Sequence, residues 1–130
     1  LVQKKSMNDY PAWAAVSDAE PPRLTLRIRR GDEWQRSFLF RQAVPGWSEK
    51  VAIDLTGVEF RAWVSTVAGV EPLAEMAVDV SAAAEGLVRL SLSEIQTALN
   101  PGVYRWRMRG RAPGDVEHTA IAGPLEIVRE

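Results

Sequence analysis

One stretch constrains the fold more than any other: residues 86–110, Gly-Leu-Val-Arg-Leu-Ser-Leu-Ser-Glu-Ile-Gln-Thr-Ala-Leu-Asn-Pro-Gly-Val-Tyr-Arg-Trp-Arg-Met-Arg-Gly. Val88, Leu90 and Leu92 alternate with Arg89 and Ser91, the period-two pattern of a strand with one buried face. Ser93 stands three positions before Gln96, which fits a capping box, and the spacing predicts a one-turn helix from which Ile95 and Leu99 fold inward. Asn100-Pro101-Gly102 stops that helix, because Pro cannot extend it and Asn or Gly tolerates a left-handed turn. A second strand then places Tyr104, Trp106 and Met108 on one face and Arg105, Arg107 and Arg109 on the other. Strand, corner and strand in this order predict the E strand, corner and F strand of an immunoglobulin-like sandwich. Tyr104 takes the position of a tyrosine corner, two residues before the place of a disulfide cysteine. Trp106 occupies that place, so a ring is expected to fill the space between the sheets where other chains carry a covalent bridge.

The rest of the chain supplies partners for these strands. Leu24–Arg29 alternates Leu24, Leu26 and Ile28 against Thr25, Arg27 and Arg29, and Arg30-Gly31-Asp32-Glu33 reads as hairpin chemistry leading to Trp34–Arg41, with Phe38 and Phe40 inward. Residues 42–53 read as a loop built on Pro45-Gly46. Trp47 at its tip has two readings, a binding aromatic or a lid folded back on the end of the domain. Asp54-Leu55-Thr56-Gly57 leads into Val58, Phe60, Ala62 and Val64, with Glu59, Arg61 and Trp63 on the other side. Trp63 interrupts that polar face, either packed under an adjoining segment or marking an interface patch. Met76, Val78 and Val80 form a further strand, and Glu117–Arg129 a last one whose Gly123-Pro124 predicts a sheet edge or a bulge. The expected fold is all-β: an immunoglobulin-like antiparallel β-sandwich of about seven strands, with one short helix before the sixth.

Residues 1–22 have no sustained period and contain Pro11, Pro21 and Pro22, so they read as an extended arm ahead of a sandwich domain over 23–130. Tyr10 and Trp13 on this arm have two readings, lying on their own domain or docking on a neighbouring protein with Trp13 as anchor. The first residue is Leu, so the chain reads as processed, a fragment or begun at an unusual start, with Met7 as an alternative. No secretory signal is visible after Lys4-Lys5, and no apolar run approaches the roughly 20 residues of a membrane span.

Chemistry is scarce. The chain has no cysteine, which excludes disulfides, thiol nucleophiles and thiolate metal sites. His118 is the one histidine and reads as a solvated side chain, too few for a histidine metal centre and not near any nucleophile-elbow sequence. No phosphate-binding glycine loop or calcium loop occurs. We therefore expect no enzyme, no cofactor and no metal. Arg27, Arg29, Arg105, Arg107 and Arg109 line outer strand faces, but 17 acids stand against 16 Lys and Arg, and the net charge is -1. Cross-strand pairing with Glu59, Glu75, Asp79, Glu117 and Glu126 is the expected fate of those arginines, and nucleic acid and membrane are not expected partners.

Four runs resemble a family of small phage virion proteins. They are Arg-Ile-Arg-Arg-Gly-Asp-Glu-Trp-Gln-Arg-Ser-Phe-Leu-Phe (27–40), Ile-Asp-Leu-Thr-Gly-Val-Glu-Phe-Arg-Ala (53–62), Pro-Gly-Val-Tyr-Arg-Trp (101–106) and Ala-Gly-Pro-Leu-Glu-Ile (122–127). The family is found in tail, baseplate and fibre-associated proteins, including amino-terminal domains of baseplate and receptor-binding components. The resemblance covers about residues 24–129. The long Trp47 loop and Trp106 depart from its pattern. It implies a non-enzymatic part of a virion, assembled in the host cytoplasm, held by contacts with other virion proteins and with copies of itself. Tyr10, Trp13, Trp47 and Trp63 are the candidate partner-binding residues. A head-decoration or neck protein is a variant of this reading. A carbohydrate-binding module that stacks a host-surface glycan on Trp47 and Trp63 is the rival.

Overall fold

The computed structural model describes residues 11–14, 22–69 and 71–129, and over these the chain is all-β. The strands are β1 Leu26–Arg29, β2 Trp34–Leu39, β3 Arg41–Gln42, β4 Val51–Ala52, β5 Glu59–Ser65, β6 Ala74–Glu75, β7 Ala77–Asp79, β8 Leu87–Leu92, β9 Gly102–Arg111 and β10 His118–Val128. They form a five-stranded sheet in the order β1-β10-β9-β5-β6, a three-stranded sheet β2-β8-β7 and a small ladder β3-β4. This exceeds the expected number because the Pro45-Gly46 loop carries the β3-β4 ladder and the segment 74–79 divides at Met76. Met76 is buried and its N–H still donates to Ala62 O of β5 at 2.9 Å, so the chain changes sheets there.

Two expectations about topology are corrected. β1 pairs with β10 in parallel, from Leu26 opposite Leu125 to Arg29 opposite Val128, so the larger sheet is mixed and not antiparallel throughout. Residues 30–33 do not close a hairpin: they carry the chain from β1 in one sheet to β2 in the other. That crossing is tied to the β8–β9 connection, where Thr97 Oγ1 donates to Asp32 O at 2.7 Å and Arg30 Nε to Leu99 O at 3.0 Å.

Gly123-Pro124 marks neither an edge nor the bulge. β10 lies inside its sheet, and its register shift falls between Thr119 and Ile121. The two residues instead face a gap in the pairing with the incoming chain, which bridges Arg23 to Ala122 and resumes at Leu26 with Leu125. Over that gap Leu24 passes so close that a Cβ on residue 123 would sit 2.1 Å from its carbonyl oxygen. Glycine is needed for the approach, and the missing N–H of Pro124 costs no ladder bond to β1.

The core forms between the two sheets. Phe38, Val88, Leu90 and Leu92 come from the smaller sheet, and Ala62, Val64, Trp106, Met108, Leu125 and Ile127 from the larger. Trp106 is 1% exposed, its ring centroid lies 5.7 Å from that of Phe38 across the layers, and its Nε1 donates to Leu24 O at 2.8 Å. Tyr104 OH donates back to Asn100 O at 2.7 Å, the bond a tyrosine corner makes to the chain just upstream.

The helical expectation at residues 93–99 is met only in part. Ser93 and Gln96 exchange both bonds of a capping box, Gln96 Oε1 accepting from Ser93 N–H at 2.9 Å and Ser93 Oγ from Gln96 N–H at 3.2 Å. Thr97 N–H donates to Ser93 O at 3.0 Å and Ala98 N–H to Ile95 O at 3.2 Å, and the segment stays a turn without becoming a regular helix. It buries Thr97, half-buries Leu99 and leaves Ile95 87% exposed, so Ile95 points out and not in. The helical element among the described residues is a 3-10 turn at Ala83–Glu85, before β8.

Candidate interaction surfaces

At the end where β2 finishes and β5 begins, Val44-Pro45-Gly46-Trp47 forms a turn with Trp47 N–H on Val44 O at 3.0 Å. Pro at its second position and a positive φ of 83° at Gly46 are the marks of a type II turn. The turn caps the β3-β4 ladder and holds Trp47 in solvent, 66% exposed. The lid reading of Trp47 is thereby excluded. Beneath it, Asp54 folds the next corner, its Oδ1 accepting from Thr56 N–H at 2.9 Å and from Thr56 Oγ1. Leu55 is driven into the core and its N–H reaches Ala83 O at 2.9 Å. The Asp-Leu-Thr-Gly run is thus a local fastening that aims β5. The hydroxyl and then the amide of Thr56 hold the Asp54 carboxyl below its ordinary range, and the Ser81 amide and hydroxyl, with Arg89 nearby, do the same for Asp79.

Trp13 sits at this same end and is only 6% exposed. Its ring meets Phe60 edge-on at 5.2 Å and His118 at 6.2 Å, and a Cβ on residue 110 would come within 2.8 Å of both Trp13 and Phe60. Of the two readings of Trp13, its ring lies with its own domain, and deeper than a surface position, in the core where Gly110 leaves the room. His118 is likewise not solvated. It is 5% exposed, with Nε2 3.3 Å from Asp115 Oδ2. The register shift in β10 explains the miss, because parity counted back from Ile121 puts His118 on the wrong face. Tyr10 lies outside the described residues.

The outer face of the larger sheet carries the arginines. Arg111 pairs with Glu59 at 3.2 Å, Arg61 and Arg109 share Glu117 at 3.0 and 3.2 Å, and Arg27 reaches Glu126 at 3.7 Å. Of the stripe Arg27, Arg29, Arg105, Arg107 and Arg109, cross-strand pairing with an acid is seen for Arg27 and Arg109, while Arg105 donates to Val67 O at 3.3 Å. Trp63 lies half-buried on this face between Glu75 and Arg107 in register, with the Arg61 guanidinium 4.6 Å from its ring centroid. The covering group is a cation two residues earlier on the same strand and not an adjoining segment. A cavity of about 300 Å³ is lined by Glu59, Phe60, Arg61, Arg111 and Glu117, whose charges largely satisfy one another.

The structure does not gather Trp13, Trp47 and Trp63 into one site. One ring is in the core, one is at a loop tip and one is on a sheet face. Sequence reasoning missed apolar side chains left in water at both ends of the sheets. Leu39, Val80 and Val116 join Trp47 at one end, and Val67, Leu73, Ile95 and Val103 stand at the other. Among the described residues no cluster of three or more His, Asp or Glu converges on a metal-sized space, and no helix is long and apolar enough to cross a membrane. No protein-family model matches the sequence, and no curated protein matches it.

Proposed function

We propose that the chain is a structural component of a phage virion, of the tail, baseplate or a fibre-associated part, and that it assembles through protein–protein contacts on an immunoglobulin-like β-sandwich. The strand order supports the fold. With β2, β8 and β7 as strands B, E and D, and β5, β9 and β10 as C, F and G, the two layers follow the immunoglobulin order, and β6 adds the C′ strand of variable-type domains. The Tyr104–Asn100 bond, at the start of the strand that corresponds to F, points the same way.

The observation that carries the functional half is the exposure of large apolar groups at opposite ends of a plugged core, Trp47 at 66% and Ile95 at 87%. Such groups gain from being covered by another protein surface and contribute nothing to this fold. The test is mass spectrometry of purified particles, with wild type and the variants Trp47→Ala and Ile95→Asp. The chain is expected at fixed stoichiometry, and the variants are expected to keep the wild-type melting temperature yet be depleted from particles. Its absence from particles overturns the proposal. A head-decoration or neck position is distinguished by which substructure retains the chain on fractionation.

The exposure of Trp47 favours one rival, a carbohydrate-binding module. Trp63 adds little to it, because Arg61 covers its ring. Saturable binding of a glycan, abolished by Trp47→Ala, would replace the assembly reading.

A further inference from the structure

The free side of β2 is the longest open strand edge among the described residues. Phe40 N–H donates to Gly86 O at 2.8 Å and Phe40 O accepts from Ile53 N–H at 2.9 Å, so both backbone groups of Phe40 face β8 and β4. Successive residues of an antiparallel strand point their backbone groups to alternate sides. Gln35, Ser37, Leu39 and Arg41 therefore aim their N–H and C=O groups away from the sheet, and β2 is the last strand of its sheet. The other sheet-edge strands, β1, β6 and β7, have 4, 2 and 3 residues. β2 has 6, continues into β3, shows no register shift, and contains no proline, glycine or lysine from Glu33 to Gln42. Of the devices that usually blunt an edge, proline, lysine and a bulge are missing, and the charges of Glu33, Arg36 and Arg41 remain for a partner to match.

We propose that this edge pairs with the same edge of a second copy, antiparallel about a two-fold axis through Ser37, so that two three-stranded sheets become one of six strands. The side chains select this register. With Ser37 opposite Ser37, Gln35 faces Leu39 of the second copy, Arg36 faces Phe38, and Glu33 faces Arg41 on both sides of the axis. Arg36 lies over the Phe38 ring of its own chain, its guanidinium carbon 5.7 Å from the centroid, so the Arg36 and Phe38 positions that face each other bring no like charges together and the Glu33–Arg41 pairs set the register. Glu33, Arg36 and Arg41 are all exposed in the single chain. Moving the axis to Gln35 or Leu39 loses both Glu33–Arg41 pairs, and moving it to Arg41 sets two arginines against each other. A single strand pair is a small interface, so the dimer is weak and depends on concentration. The pairing rests on the assembly reading only for its biological setting and is a property of the isolated chain.

Sedimentation equilibrium of the full chain over a wide concentration range tests it, with near-ultraviolet circular dichroism to check folding. Wild type is expected to follow a monomer–dimer curve. Glu33→Arg and Arg41→Glu each turn two attractive pairs into two repulsive ones and should raise Kd about tenfold or more. The double variant Glu33→Arg/Arg41→Glu restores opposite charges across the axis and should recover wild-type dimerisation. Ser37→Pro removes a donor that makes no bond within the chain and should leave a folded monomer. If that variant does not fold, the charge set decides alone. A chain that is monomeric throughout, or reversals without effect, or a double variant that fails to recover, overturns the pairing. A solution monomer that still enters particles refutes the pairing and spares the virion proposal, and a solution dimer absent from particles does the reverse.

Discussion

Replacing Trp106 by Phe tests the claim that one ring joins the two sheets and the incoming chain. Two losses are readable from the structure. The first is the Nε1 bond to Leu24 O at 2.8 Å, made beside a ring that is 1% exposed, so little water can replace it. Leaving this part-buried carbonyl without that donor costs about 1–3 kcal/mol. The second is the space of the lost five-membered ring, about 1 kcal/mol at roughly 24 cal/mol per Å³ of residual cavity. Together they predict a loss of about 2–4 kcal/mol, a large share of the 5–15 kcal/mol typical of a domain. Urea unfolding followed by far-ultraviolet circular dichroism measures it, and the m-value should stay near that of wild type, because the same surface is exposed on unfolding. Tyr104→Phe is the internal comparison. It removes the hydroxyl bonded to Asn100 O from a half-buried ring and should cost about 1 kcal/mol. A loss below about 1 kcal/mol for Trp106→Phe would refute the account of Trp106 as the tie between the layers.

Three smaller predictions follow from local geometry. Ser93→Ala breaks one half of the capping box and should lower stability by about 1 kcal/mol in the same urea assay. Gly110→Ala places a methyl group 2.8 Å from Trp13 and Phe60 and should cost about 1–3 kcal/mol. Part of that cost should vanish in a Trp13→Ala background, the rest staying with Phe60, and an unchanged cost would show that Trp13 is not what the methyl group meets. Asp54 and Asp79 both have native pKa values lowered from the ordinary 3.8, so the unfolded chain binds their protons first as pH falls. Their stabilisation is complete above 3.8 and is lost as pH drops through the lowered native values. Asp54→Asn should therefore flatten the acid limb of stability against pH, with no added effect of pH near neutrality.

The strands were legible because period-two patterning is enforced by burial on one face. Val88, Leu90 and Leu92, and Trp106 and Met108, all point where alternation puts them. The capping box was legible because it is a local exchange between two side chains. What sequence could not give were facts about non-neighbours. β1 finds β10 in parallel because Leu24 must reach over Gly123, a contact across the whole domain that no local pattern encodes. His118 and Ile95 were assigned to the wrong sides for a shared reason. One local irregularity resets the facing, and the register shift at Thr119/Ile121 and a turn that does not grow into a regular helix each did so. Of the candidate surface, the Pro-Gly turn that carries Trp47 was legible, but whether its ring stands out or folds back was not. Trp13 was not, because the space that receives it is made by the absence of a side chain at Gly110.

The open edge of β2 has its cause elsewhere in the molecule. The chain before β1 lies along β10, with Ala122 N–H on Pro22 O at 3.1 Å and Leu24 N–H on Ala122 O at 3.0 Å, and so runs away from β2. Two features fix it there, the missing side chain at Gly123 and the Trp106 bond, and both act on the same Leu24 carbonyl. Their effects must then be coupled. Gly123→Ala forces that carbonyl away, which already breaks the Trp106 bond, so adding Trp106→Phe can lose only the cavity contribution. The double variant should be less destabilised than the sum of the singles by about 1–3 kcal/mol, the share assigned to the hydrogen bond. Independent action gives additivity within about 0.5 kcal/mol, and that outcome would mean that the ring and the glycine do not hold the lead-in strand through one atom.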